Sequence, residues 1–163
     1  MLGSGKVLSL GELAVLREAW RHDNRTVVWT NGCFDLLHLG HVRNLQEARA
    51  QGDLLIVGVN ADRSVRAIKG PGRPIQNENE RAEMLASLVC VDYVTIFGDA
   101  TPIAAIGLIQ PDVHCKGGDY ANNAKPIPER ETVEGNGGRL HFLQFHSGFS
   151  TTGLIERIRA ENP

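Results

Sequence analysis

An apolar run, Val27-Val28-Trp29, leads directly into Thr30-Asn31-Gly32-Cys33-Phe34-Asp35-Leu36-Leu37-His38-Leu39-Gly40-His41, and a periodic helical segment at 42–50 leads out of it. A small-residue turn therefore joins a buried strand to the start of a helix, with two histidines three apart at the junction. Backbone N–H groups at such a junction point at whatever lies in front of the helix, usually a phosphate. Two imidazoles there can donate hydrogen bonds to the same anion. HxxH spacing alone also fits two unrelated polar side chains at a helix start. The preceding strand, the glycine turn and the close backbone approach that Gly40 permits favour the phosphate. Zinc needs three or four ligands, and no further His or Cys cluster has ligand spacing, so no metal ligands are assigned.

The same strand-then-helix rhythm runs along the whole chain. Helical patterns fall at 10–21 (Leu13, Leu16 and Trp20 on one face), 40–51 (Gly52 as C-cap), 78–89 (Met84, Leu85 and Leu88 inward), 102–109 and 151–159. Strands are expected at 26–29, 54–59, 93–97, 113–115 and 140–145, and the continuous apolar run at 54–59 is expected to be buried on both faces. This alternation predicts an α/β fold, a doubly wound parallel sheet with helices on both faces, in one domain over 1–163. Such sheets bind ligands beyond the carboxyl ends of their strands. Four polar clusters are expected there: the histidine turn, the basic loop Lys69-Gly70-Pro71-Gly72-Arg73-Pro74, the turn Lys116-Gly117-Gly118-Asp119, and the helix start Ser150-Thr151-Thr152.

Composition narrows the function classes. With 42% hydrophobic residues the chain can build a sizeable core, and a formal net charge of -2 gives no sign of nucleic acid or an anionic membrane as partner. No apolar run reaches the roughly 18 residues of a membrane span, and the N-terminus lacks a signal-peptide pattern. Three cysteines without CxxC spacing (Cys33, Cys90, Cys115) suggest reduced thiols and a cytoplasmic location. Cys90 and Cys115 read as small buried hydrophobes.

His38-Leu39-Gly40-His41 resembles the HxGH signature of the nucleotidyltransferases, and residues 32–38 resemble its cytidylyltransferase-like branch, as does Ser150-Thr151-Thr152 before a helix. Together with Lys69-Gly70, Arg73-Pro74, Lys116-Gly117-Gly118-Asp119-Tyr120 and Gly137-Gly138, the pattern is similar to the D-glycero-β-D-manno-heptose 1-phosphate adenylyltransferase family. The resemblance covers about 6–158 and implies a Rossmann-like nucleotidyltransferase fold. It implies ATP and heptose 1-phosphate as small-molecule substrates, Mg²⁺ held mainly by phosphates and water, and a homo-oligomer, expected to be a dimer. The activity is often fused to a sugar kinase, for which 163 residues leave no room, so the stand-alone form is expected.

A sugar 1-phosphate is already an anion near neutral pH and needs no general base to attack the α-phosphate; the enzyme aligns the reactants and stabilises charge. On this reading His38, His41 and Lys69 are catalytic. Cys33, Phe34, Gly40, Lys116, Gly118, Asp119, Ser150 and Thr151 bind the nucleotide, and Asn31, Asp35, Asn60 and Arg73 bind the acceptor. Bland alternatives stay open. Lys69 and Arg73 also suit a solvated basic loop, 116–119 a plain turn, and Ser150 a simple N-cap. Asp35 could instead anchor its turn, and Arg81 could make only salt bridges. His114, His141 and His146 read as structural. Related cytidylyltransferases carry an arginine ahead of the C-terminal glycine, where this chain has Phe145-His146-Ser147-Gly148. The competing functions are a cytidylyltransferase acting on another phosphorylated sugar or alcohol, and a non-catalytic nucleotide-binding module. A dinucleotide oxidoreductase is disfavoured because the first turn lacks GxGxxG.

Overall fold

In the computed structural model, which describes residues 5–120, 126–144 and 148–161, β1 (Val27–Gly32), β2 (Leu54–Asn60), β3 (Tyr93–Phe97), β4 (Val113–Lys116) and β5 (Arg139–Phe142) form one parallel sheet. The strand order is β3-β2-β1-β4-β5. The chain builds outward from β1 to β3, then crosses back to place β4 on the other side of β1. The strand order reverses between β1 and β4, and ligand crevices open beyond the carboxyl ends of the strands at such a reversal. Register brings the right residues there: Thr30 lies beside Cys115, and Asn31 beside Gly58.

Helices cover both faces, as the alternating pattern predicts. One face packs Val28, Leu55, Val57 and Val94 against Leu45 of α2 (Leu39–Arg49) and Leu85 of α4 (Glu78–Ala86). The other packs Val27, Trp29 and Ile56 against Leu13 of α1 (Leu10–His22), Ile106 and Ile109 of α5 (Ile103–Ile109) and Val133 of α6 (Arg130–Gly135). Successive β1 residues alternate between the two cores because side chains alternate across a strand. All seven residues of β2 are buried, which is why its run is continuously apolar. Ser9 and Glu12 form a capping box on α1, and Asn77 and Glu80 form one on α4; each such cap contributes about 1 kcal/mol. Among the described residues, no helix is long and apolar enough to cross a membrane.

Several boundaries differ from the sequence expectations. α3 (Asp62–Lys69) was not anticipated, so Lys69 ends a helix and does not open a loop. Its sequence, DRSVRAIK, is mostly polar and only Ser64 and Val65 are buried, so the apolar signal is thin. α4 stops at Ala86, and Met84 points outward at 39% exposure while Arg81 occupies the inward position at 1%. α2 is capped by Ala50; Gly52 sits in the following turn, where a Cβ would lie 2.8 Å from the Thr26 carbonyl oxygen. α6 was also not anticipated, and β5 covers 139–142 and not 140–145. The expected positions Phe145, His146 and Ser147 lie outside the described residues. The C-terminal helix α7 (Thr151–Glu161) forms as expected but buries none of its residues.

Candidate active site

The site is built on the turn between β1 and α2. Phe34 adopts a left-handed backbone conformation, φ 47°, an arrangement that L residues hold only when their surroundings impose it. Beneath this turn lies Arg81, fully buried, whose guanidinium donates to the Cys33 carbonyl at 2.6 Å, to the Gln76 carbonyl at 3.0 Å and to Asp62 at 2.8 Å. His38 is the N-cap of α2: its backbone is extended and its Nδ1 accepts from the His41 N–H at 3.4 Å. An accepting Nδ1 puts the proton of the neutral ring on Nε2. The His41 ring stacks on His38 with centroids 3.7 Å apart and planes at 17°, and Phe34 packs 5.3 Å from His41. Gly40 makes this possible. A Cβ there would meet Phe149 Cβ at 2.8 Å and the His38 ring at 3.1 Å.

Both imidazoles are neutral donors at pH 7. Burial, with a smaller contribution from His38, pushes His41 down to about 4; burial also lowers His38. Nδ1 of His41 is buried with no hydrogen-bond partner among the described residues.

Three cavities meet at Cys33. The first, about 300 Å³, holds Phe34, Asp35, His38, His41, Lys69, Arg73, Ser150 and Thr151. The second, about 180 Å³, runs from Thr30 and Asn31 past His41 to Gly117 and Leu143. The third, about 340 Å³, is bordered by Asn31, Asn60, Lys69, Lys116, Tyr120 and Glu129. His41 is shared by the first two and Lys69 by the first and third. Gly118 is not among the described residues that line these cavities. It lies with Asp119 in the short 3-10 helix Gly118–Tyr120, and the side chain of Asp119 lies outside the described residues.

Most of the cations expected to be free are already paired. Arg73 donates to Asp35, which is 2% exposed and also accepts from the Ile75 and Gln76 amides at 2.7 and 3.1 Å. Asp35 thus fastens the 70–76 loop to the histidine turn and has its acceptors engaged by the protein. Lys116 donates to Glu129 at 2.8 Å and sits 4.4 Å from the Tyr120 ring. Lys69 forms no ion pair among the described residues. At the far side, Ser150 Oγ accepts from the Gly153 N–H at 3.0 Å, capping α7, and Thr151 Oγ1 donates to the Leu36 carbonyl at 3.5 Å.

Sequence reasoning missed Glu129 altogether. It is 1% exposed and bonded to both His114 and Lys116. No spacing marks it, because its partners lie on another element. Among the described residues, no group of three His, Cys, Asp or Glu side chains could hold a metal ion. With Asp35 and Glu129 both engaged, the described side chains here do not fit a resident Mg²⁺.

The family model for cytidylyltransferase-like proteins matches residues 29–157. The chain is 50% identical over 86% of its length to the bifunctional protein HldE of Syntrophotalea carbinolica, and 47% identical over 96% to that of Geobacter sulfurreducens. It spans only 28% and 31% of those relatives. Among solved structures it is similar to a lipopolysaccharide core biosynthesis protein from Thermoplasma volcanium, with a TM-score of 0.64 and 26% identity, over 76% of this chain and 99% of that one.

Proposed function

The chain belongs to the cytidylyltransferase-like family, and on that premise we propose that it transfers AMP from ATP to D-glycero-β-D-manno-heptose 1-phosphate, releasing pyrophosphate. The observation that carries the reading is the stacked His38–His41 pair at the mouth of α2, where neutral N–H donors and a helix N-terminus meet a cavity that also contains a cation, Lys69. These are parts for holding a phosphoryl group. The nucleophile is the phosphate oxygen of the acceptor. It forms one P–O bond to the α-phosphorus as the bond to the pyrophosphate oxygen breaks. No proton has to leave the nucleophile, which suits a cavity whose one carboxylate among the described residues, Asp35, is bound up by Arg73 and two amides.

Within this reading His38 Nε2–H and a ring N–H of His41 donate to the α-phosphate oxygens as their charge rises. Lys69, which borders both the histidine cavity and the third cavity, draws the two anionic reactants together. Ser150 and Thr151, at the N-terminus of α7, receive the β- and γ-phosphates. Asn31 and Asn60 face the acceptor in the third cavity; Lys116, expected from the sequence to bind the nucleotide, lines that same cavity and on this reading faces the acceptor instead. Mg²⁺ arrives with ATP, held by its phosphates and water. Similarity to a lipopolysaccharide core biosynthesis protein supports a place in surface-glycan sugar supply. ATP, CTP, GTP and UTP assayed against a panel of sugar 1-phosphates, with pyrophosphate release as the signal, test the assignment. Release with ATP and the heptose 1-phosphate is expected; release only with CTP or another acceptor transfers the assignment to that pair.

A further inference from the structure

Behind the third cavity lie two buried polar groups, His114 and Glu129, that the proposed transfer does not use. His114 sits in the middle of β4 at 0% exposure. Its Nε2 meets Glu129 Oε1 at 3.0 Å, and the same oxygen accepts from Lys116 Nζ at 2.8 Å. Glu129 immediately precedes α6 and lines the cavity that Lys116 also lines. A carboxylate and an imidazole buried this deeply carry a desolvation cost that an apolar pair of the same volume would not. Burial raises the carboxyl of Glu129, yet hydrogen bonds from His114 and Lys116 outweigh it and bring the group down to about 2; burial keeps His114 neutral. The arrangement is therefore an ionised carboxylate clamped between a neutral imidazole, which fixes its orientation, and an ammonium at the edge of the cavity. Lysine has a flexible four-carbon stem and no preferred direction for its charge. Here the ammonium lies over the Tyr120 ring, 4.4 Å from its centroid, and is tied to Glu129.

We propose that Glu129, oriented by His114, is a positioning residue that fixes the Lys116 ammonium at the acceptor side of the site. Glu129 acts through Lys116 and touches neither substrate. This rests on the transferase reading above, and the experiment separates the two. Glu129→Gln keeps shape and hydrogen bonding but removes the charge; His114→Gln loosens the orienting contact and serves as the second variant. Each is measured alone and in a Lys116→Met background, with thermal unfolding as a control. With Lys116 present, Glu129→Gln lowers kcat/KM for the acceptor about tenfold and His114→Gln about threefold, and both effects shrink to less than about twofold when residue 116 is Met. Equal losses in both backgrounds, or none in either, overturn the proposal. A second readout needs no turnover: acylation of Lys116, which attacks as the free amine after giving its proton to solvent, is at least about fivefold faster by mass spectrometry in Glu129→Gln than in the wild-type protein, because the side chain is no longer held to a carboxylate. Unchanged labelling overturns the proposal even if the transferase assay is silent. A silent wild-type assay with altered labelling overturns the transferase reading alone.

Discussion

The β1–α2 turn and the cation side of the cavity face the same space but are organised in opposite ways. On the turn, His38 and His41 are neutral, stacked on each other, and keep N–H groups to give away. Opposite them, Arg73 is tied to Asp35 and Lys116 to Glu129, while Arg81 is spent beneath the turn on Asp62 and two carbonyls. Residues that look like donors in the sequence remain donors; most that look like free charges are structural ties. The site therefore does not present a cluster of bare cations, which would repel one another in the empty protein. It presents oriented neutral dipoles plus Lys69, and the compensated charges around them set geometry.

The largest effect that can break this contrast is on the donor side. His38→Ala lowers kcat by about 10²–10³-fold while the ATP dissociation constant changes far less, the scale seen when one preorganised donor to a developing charge is removed. Initial rates and calorimetric ATP binding measure the two; equal losses in both would place His38 in ground-state binding only. Next comes the support beneath the turn. Arg81→Leu leaves the Cys33 carbonyl without its donor and Asp62 without its partner, so urea unfolding loses about 3 kcal/mol. A loss under about 1 kcal/mol would mean the left-handed Phe34 turn holds itself.

The protonation state of His41 sharpens the contrast further. Its pKa falls from 6.5 to about 4 on folding, so the stability associated with the neutral ring is present above pH 6.5 and is lost as the pH drops through about 4. The loss is about 2 kcal/mol after allowing for partial exposure, and it is absent from His41→Gln. A ring titration near 6.5 by NMR contradicts a neutral donor pair. The smallest effect is Lys69→Met, at about tenfold in kcat/KM, consistent with loss of one charge-assisted contact. Arg73→Met, by contrast, lowers stability through Asp35 before it lowers ligand affinity.

Local patterns made half of this legible in advance. Val27 to His41 reads correctly because strand, turn and helix start are contiguous, and the apolar alternation determines which core each β1 residue joins. The parallel sheet follows from the same rhythm. What stayed hidden depends on pairing across distance. Asp35 meets Arg73 through a loop 38 residues on, and Arg81 reaches Cys33 48 residues back. Glu129 is anonymous in the sequence because its meaning comes from His114 and Lys116 on β4. α3 was hidden for another reason: it buries only two residues and so carries almost no periodic signal.

The proposed transfer rests most directly on an acceptor that arrives already ionised, at a site whose described carboxylates, Asp35 and Glu129, are both engaged by the protein. The deciding measurement is pyrophosphate release from ATP with D-glycero-β-D-manno-heptose 1-phosphate and, in parallel, with the same heptose lacking its phosphate. Release with the phosphorylated sugar and none above background with the free sugar is the predicted result. Comparable release from both would require a general base at the site and would contradict the account.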